Sequence, residues 1–229
     1  MRFGLQKLTL LDYPGQLACT VFTCGCNFRC PFCHNAALVT GDPGALEYSF
    51  AEILEFLENR GSRLEGICLT GGEPLLHEES ILLMQAAKAM GYKVKLDTNG
   101  SFPERLAEVL AENAVDYVAM DIKNSPAKYD LTSGTAVLEK VRRSVGLLKN
   151  SNIEYEFRTT VTGNLHEKAD FTAIGQWLAG TERYFLQGFK DSGDILAGDA
   201  ADFAVSDEKL AEFLDEARKF IPAAAIRGR

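Results

Sequence analysis

Three cysteines, Cys26, Cys30 and Cys33, stand within CGCNFRCPFCHN in the order CxxxCxxC. Thiolates so close along one loop can grip three corners of a cuboidal iron–sulfur cluster and leave the fourth iron without a protein ligand. Such an iron can bind and polarise a substrate, whereas a cluster closed by four cysteines only passes electrons. A fourth cysteine, Cys24, precedes the three and opens a rival reading, four sulfurs around one structural zinc.

The remaining chemically capable residues gather in short polar clusters: Gly71-Gly72-Glu73-Pro74, Asp97-Thr98-Asn99-Gly100, Asp121-Ile122-Lys123 and Arg158-Thr159-Thr160. Paired glycines let backbone groups approach a ligand, and Glu73 offers an acceptor for a cationic group such as an ammonium; a tight strand-to-helix turn uses the same residue types. Asp97 and Asp121, with the Thr98 hydroxyl and backbone carbonyls, could hold a hard cation, with solvated helix caps as the plainer alternative. Lys123 and Arg158 lie in apolar strands and need an anionic partner, which an external carboxylate, Asp97 or Asp121 would each supply. Phe32 could lay its ring against a flat heterocycle or plug the core. His34 follows Cys33 directly and reads as a hydrogen-bonding residue near the cluster, while His77 and His166 read as surface or cap residues.

What positions these residues is an alternation of apolar β-prone runs with segments of helical period, the pattern of a parallel sheet built from βα units. Strands are expected at Leu17–Thr23, Gly66–Thr70, Lys93–Thr98, Tyr117–Ile122, Glu154–Val161 and Tyr184–Gly188. Helices are expected after Ser49, whose partner Glu52 completes a capping box, then at Glu79–Met90, Pro103–Glu112, Ala136–Asn150, Glu167–Leu178 and from Ser206. The last helix places Leu210, Phe213, Leu214, Ala217 and Phe220 on one stripe that needs a cover. Six units are too few for an eight-stranded barrel, so the fold class is α/β, an open partial barrel or a doubly wound sheet. In either case every polar cluster falls at or near the C-terminal end of a strand, where ligands bind in such sheets.

The 229 residues, 46% hydrophobic, suit one domain over 1–229. A formal charge of −8 with no basic stripe argues against a nucleic-acid partner. No apolar run reaches the roughly 20 residues that span a bilayer, and Asp12 and Pro14 interrupt the N-terminal segment before a signal core can form. A cytoplasmic protein without membrane partners is expected. Six cysteines then point to metal rather than disulfides, with Cys19 and Cys68, each in an apolar run, read as buried small hydrophobes.

CxxxCxxC after the first strand, GGEP after the second and DxK after the fourth resemble the radical S-adenosylmethionine (SAM) enzymes over nearly the whole chain. Within that superfamily CNFRCPFCHN, LDTNG, MDIK and the early LDYPG resemble the activating enzymes of glycyl radical enzymes, especially the anaerobic ribonucleoside-triphosphate reductase activating proteins. The resemblance implies a partial (β/α)6 barrel with helices outside, and a 4Fe-4S cluster on Cys26, Cys30 and Cys33 whose open iron is chelated by the amino and carboxylate groups of SAM. It implies that Gly71, Gly72 and Glu73 receive the methionyl ammonium and that Phe32 lies near the adenine. Lys123 and Arg158 then face the carboxylate or ribose, and Thr160 lines the adenine site. A monovalent cation would fall on Asp97, Thr98, the Ala119 backbone and Asp121. The implied reaction is reductive cleavage of SAM to a 5′-deoxyadenosyl radical, which takes a hydrogen from a glycine of a partner, with flavodoxin or ferredoxin as electron donor. Cys24 departs from the family pattern and reads as an incidental thiol, with an alternative ligand for a damaged cluster as the second reading, and no cysteine groups remain for further clusters. The rivals are radical chemistry on a small molecule or peptide, as in deazapurine synthesis, and the zinc protein, which would leave GGEP, LDTNG and MDIK without a task.

Overall fold

The computed structural model describes residues 1–40, 47–191 and 195–228. Its strands are β1 (Arg2–Thr9), β2 (Ala18–Thr23), β3 (Tyr48–Ser49), β4 (Gly66–Gly71), β5 (Lys93–Thr98), β6 (Tyr117–Asp121), β7 (Glu154–Val161), β8 (Tyr184–Gly188) and β9 (Ala225–Ile226). They form one sheet in the order β3-β1-β2-β4-β5-β6-β7-β8-β9, with two free ends rather than a closed ring. Pairing is parallel from β2 to β9 and antiparallel where β1 meets β2 and β3. The six expected strands are β2 and β4 to β8, so the α/β sheet is as read, but it extends further at both ends. In β1 only Phe3 and Thr9 are buried, too sparse an alternation to signal a strand, and β3 and β9 are two-residue pairings made by the tertiary fold.

The helices are α1 (Ala36–Thr40), α2 (Phe50–Arg60), α3 (Glu78–Ala89), α4 (Pro103–Ala111), α5 (Tyr129–Ser133), α6 (Leu138–Lys149), α7 (Lys168–Leu178), α8 (Ala200–Phe203) and α9 (Asp207–Arg218). α2 opens on the Ser49–Glu52 capping box, an arrangement that contributes about 1 kcal/mol. The apolar stripe of α9 finds its cover in α7, where Phe171 stacks on Phe213 at 4.6 Å between ring centres.

The two faces of the sheet differ because side chains alternate along a strand. Val94 and Leu96 of β5, Val118 and Met120 of β6, and Phe157 and Val161 of β7 enter the main core. The opposite face takes the residues between them: Lys95 and Asp97, then Tyr117, Ala119 and Asp121, then Glu156, Arg158 and Thr160. Register sets Asp97 beside Ala119 and Asp121 beside Arg158. Towards the strands' N-terminal ends this face is occupied by Tyr13 of the LDYPG turn, tilted against Tyr117 at 6.0 Å, and by Glu156, held by Arg227 and the Tyr117 hydroxyl. The C-terminal half of the same face stays polar and lines a cavity.

Candidate active site

The cysteine loop leaves β2 and is held by its neighbours' backbone. Gly25 donates its N–H to the Leu38 carbonyl at 2.7 Å, and its own carbonyl accepts from Glu73 N–H at 2.9 Å. Gly72 N–H donates to the Thr23 carbonyl at 2.9 Å, and the Asn35 amide donates to the Gly71 carbonyl at 3.0 Å. The backbones approach so closely that any Cβ at position 72 would overlap the Gly25 carbonyl oxygen. Gly71, at φ +114°, occupies a conformation that side chains rarely permit. The GG of GGEP is therefore needed for loop-to-loop contact, and the two loops form one unit. His77, expected at the surface or as a cap, stands at the N-terminus of α3, with its Nε2 2.6 Å from the Cys24 carbonyl of the same loop.

A cavity of about 210 Å3 opens where the loops meet the strand ends, and Cys26, Cys30 and Cys33 all line it. Cys24 does not: its thiol turns away and donates to the Leu38 carbonyl at 3.2 Å. Burial pushes the Cys30 thiol up to about 12; Lys123 opposes the shift, and the Cys33 and Cys26 thiols add to it. Burial likewise raises Cys26, offset in part by the Phe28 N–H that donates to its sulfur at 3.4 Å. Metal binding must displace these protons, the ordinary coupling for thiolate sites. Among the described residues no three His, Cys, Asp or Glu side chains converge on a single ion position. Three thiols face one cavity while the fourth is turned away, an arrangement that suits ligation of a cuboidal cluster by three cysteines.

Beside the cysteines lies a row of charges. Arg158 bridges two carboxylates, donating from Nη1 to Asp97 at 3.0 Å and from Nε to Asp121 at 3.0 Å. Lys123 donates to the second Asp121 oxygen at 3.0 Å, and Lys95 donates to the second Asp97 oxygen. Burial disfavours the Asp121 carboxylate, but Arg158 and Lys123 outweigh it and hold the group at about 2. Asp97 is lowered in the same way against burial by Arg158 and Lys95. The Thr98 hydroxyl is turned aside, donating to Glu73 at 2.8 Å and accepting from Gly100 N–H at 3.1 Å. Each carboxylate oxygen expected to hold a monovalent cation already has a cationic donor from the chain, so these residues do not fit such an ion.

Glu73 also departs from expectation. It is fully buried, and its carboxylate accepts from Leu75 N–H at 3.0 Å, Thr98 Oγ1 at 2.8 Å and Asn99 N–H at 2.7 Å. Burial raises it to about 7 despite those donors. The carboxylate points beneath the cavity, where it ties GGEP to LDTNG, and is not among the lining groups that an ammonium could meet. Gly71, Gly72, Asp97, Thr98, Asp121, Lys123, Arg158 and Thr160 do line the cavity, as do Phe32 and His34. Phe32 is nearly buried, edge-on to Phe203 at 6.1 Å, and His34 stacks on Phe189 at 4.8 Å. His166, expected at the surface, is buried with Nδ1 at Thr162 and Nε2 3.0 Å from the Lys123 carbonyl, a brace for the MDIK strand end.

The sequence reading gave no role to Asn35 or Lys95, nor to Asn99, which it named only as part of the LDTNG cluster. Asn99 projects its amide 3.7 Å from Cys26 Sγ and 3.0 Å from Asn27 Oδ1, linking LDTNG to the cysteine loop. The K-x-D spacing of Lys95 and Asp97 on one strand puts both on one face, and that signal was present in the sequence.

The description "Radical SAM superfamily" matches residues 20–173. Over 201 residues the chain is 31% identical to a Methanocaldococcus jannaschii protein assigned as a glycyl-radical enzyme activating enzyme, a match covering 83% of this chain and 81% of that one. It is 28% identical over 138 residues to the pyruvate formate-lyase-activating enzyme of Listeria monocytogenes, covering 55% of this chain and 54% of the relative. Among solved structures, Streptococcus suis SuiB bound to S-adenosylmethionine superposes with a TM-score of 0.68 at 11% identity, over 90% of this chain and 49% of that one, a likeness of fold. The chain thus spans about half the length of the Listeria relative and of SuiB.

Proposed function

Since the chain belongs to the radical SAM superfamily and is an enzyme of the glycyl-radical activase kind, we propose that it installs a glycyl radical on anaerobic ribonucleoside-triphosphate reductase. Its cofactors are a 4Fe-4S cluster and SAM. Cys26, Cys30 and Cys33 hold the cluster in this reading, and the observation that carries it is the cavity faced by three thiols while Cys24 is committed to Leu38. A cluster held by these residues would supply the electron for cleavage of the SAM sulfonium, which is the cofactors' own chemistry.

The chain's residues have the tasks of holding and orienting. Lys123 and Arg158 line the cavity beside Asp97 and Asp121 and offer their N–H donors to the SAM carboxylate, while Lys95 is buried and pairs with Asp97. Gly71 and Gly72 leave the strand end without side chains, so that the methionyl group lies against the backbone. Phe32 and Thr160 both line the cavity and are assigned to the adenine in this reading. Orientation of the reacting carbon towards a glycine Cα is worth several orders of magnitude in rate, which rigid loops favour.

The choice of reductase as partner is supported by LDYPG, LDTNG and MDIK, with flavodoxin or ferredoxin as the electron donor in the cytoplasm. The test is anaerobic. The reconstituted protein, reduced and mixed with SAM and the reductase, should yield 5′-deoxyadenosine and a glycyl radical signal by electron paramagnetic resonance. 5′-Deoxyadenosine without a radical on the reductase would overturn the partner, and about one zinc per chain with no sulfide would overturn the cofactor reading.

A further inference from the structure

We propose that Lys95 is a tethered cation that does the work of a dissolved monovalent ion beside Asp97, so that SAM binding by this chain is independent of sodium and potassium. The inference rests on the SAM site just described. Lys95 lies two residues before Asp97 on β5, hence on the same face, with its side chain 2% exposed. An ammonium so buried must be paired, and its partners are the Asp97 carboxylate and the Cys68 sulfur at 3.7 Å.

The carboxylate oxygens divide evenly among the chain's own cations. Asp97 receives Lys95 and Arg158, and Asp121 receives Arg158 and Lys123. The Thr98 hydroxyl is engaged by Glu73 and Gly100. A dissolved ion entering here would have to displace a covalently attached donor and would also face the Lys95 ammonium as a like charge. The tethered group carries no translational cost on binding and cannot be washed out by dilution. Its pairing with Asp97 also explains why a lysine is tolerated at a buried position between Val94 and Leu96.

The test uses the reconstituted, cluster-bearing protein and measures SAM affinity by equilibrium dialysis at constant ionic strength, in potassium, sodium or tetramethylammonium chloride. Wild type should bind SAM within about twofold in all three salts. Lys95→Met should bind at least about tenfold more weakly in tetramethylammonium and regain affinity in potassium or sodium, because the vacated carboxylate oxygen then accepts a small ion. A wild-type affinity that falls severalfold on removing small cations would overturn the proposal, and so would a Lys95→Met protein that binds SAM normally in tetramethylammonium. If Lys95→Met does not fold, thallium-205 resonance of the wild type decides: a SAM-dependent bound signal overturns the proposal, and its absence upholds it. Failure to bind SAM in every salt would instead sink the site assignment itself.

Discussion

The side-chain amide of Asn99 lies 3.7 Å from the sulfur of Cys26, and Asn99 is itself fixed by Ser101 and Asn27. Donors to a ligand sulfur favour the reduced, more negative cluster and raise its potential. A net hydrogen-bond contribution of about 0.5–1.5 kcal/mol corresponds to about 20–60 mV for one electron. Asn99→Ala should therefore lower the cluster midpoint by that amount in a redox titration followed by electron paramagnetic resonance. An unchanged midpoint would show that the contact has no electronic role.

Gly72→Ala should damage both halves of the site together. Its Cβ would overlap the Gly25 carbonyl oxygen, and backbone cannot give way as a side chain can. Overpacking of this kind costs about 1–3 kcal/mol, and a clash with backbone lies at the upper end. Lower thermal stability and reduced iron content after anaerobic reconstitution are expected; full iron loading at wild-type stability would refute the account of the glycine pair.

Cys24→Ala and Cys30→Ala should separate cleanly. The first removes a thiol that only donates to Leu38, for about 1 kcal/mol or less, and should retain iron, sulfide and SAM cleavage. The second removes a thiol lining the cavity and should abolish cluster binding. Iron and sulfide analysis of the two proteins is sufficient, and iron retained without Cys30 would displace it from the ligand set.

Glu73 gives stability a defined pH dependence. Its ordinary value is 4.5 and burial raises it to about 7 in the folded protein. Between those values the native state keeps a proton that the unfolded chain has released. Its contribution therefore falls as pH rises through this window and is lower by about 3 kcal/mol above it. Glu73→Gln should flatten that slope when urea unfolding is compared at pH 5 and pH 8. Identical slopes in the two proteins would mean that Glu73 is already ionised throughout.

Much of this was legible in the chain because the parallel strands had no choice of face. Ile67, Cys68 and Leu69 must all be buried, and such runs are unmistakable. The cysteine spacing was legible for the same reason, since few other chemistries ask for three sulfurs on one loop. Glu73 was misread because nothing in GGEP says which way the carboxylate turns; the Gly72 N–H bond to Thr23 and the Glu73 N–H bond to Gly25 decide that, and both are long-range. His166 looked like a surface residue because, although Thr162 is only four residues away, its other partner, the Lys123 carbonyl, lies in a distant segment. Lys95 was missed because a lysine near a strand's start is ordinarily solvated.

The peptide-level lock between the cysteine loop and GGEP bears on how the molecule survives oxygen. A loop shaped by its own ligands collapses when the metal leaves, as in small zinc domains that unfold on chelation. Here the loop's course is dictated by Thr23, Gly25, Leu38 and Gly72 backbone bonds, none of which passes through a sulfur. Loss of the cluster would therefore leave these anchors of the loop in place, ready for iron and sulfide to be supplied again.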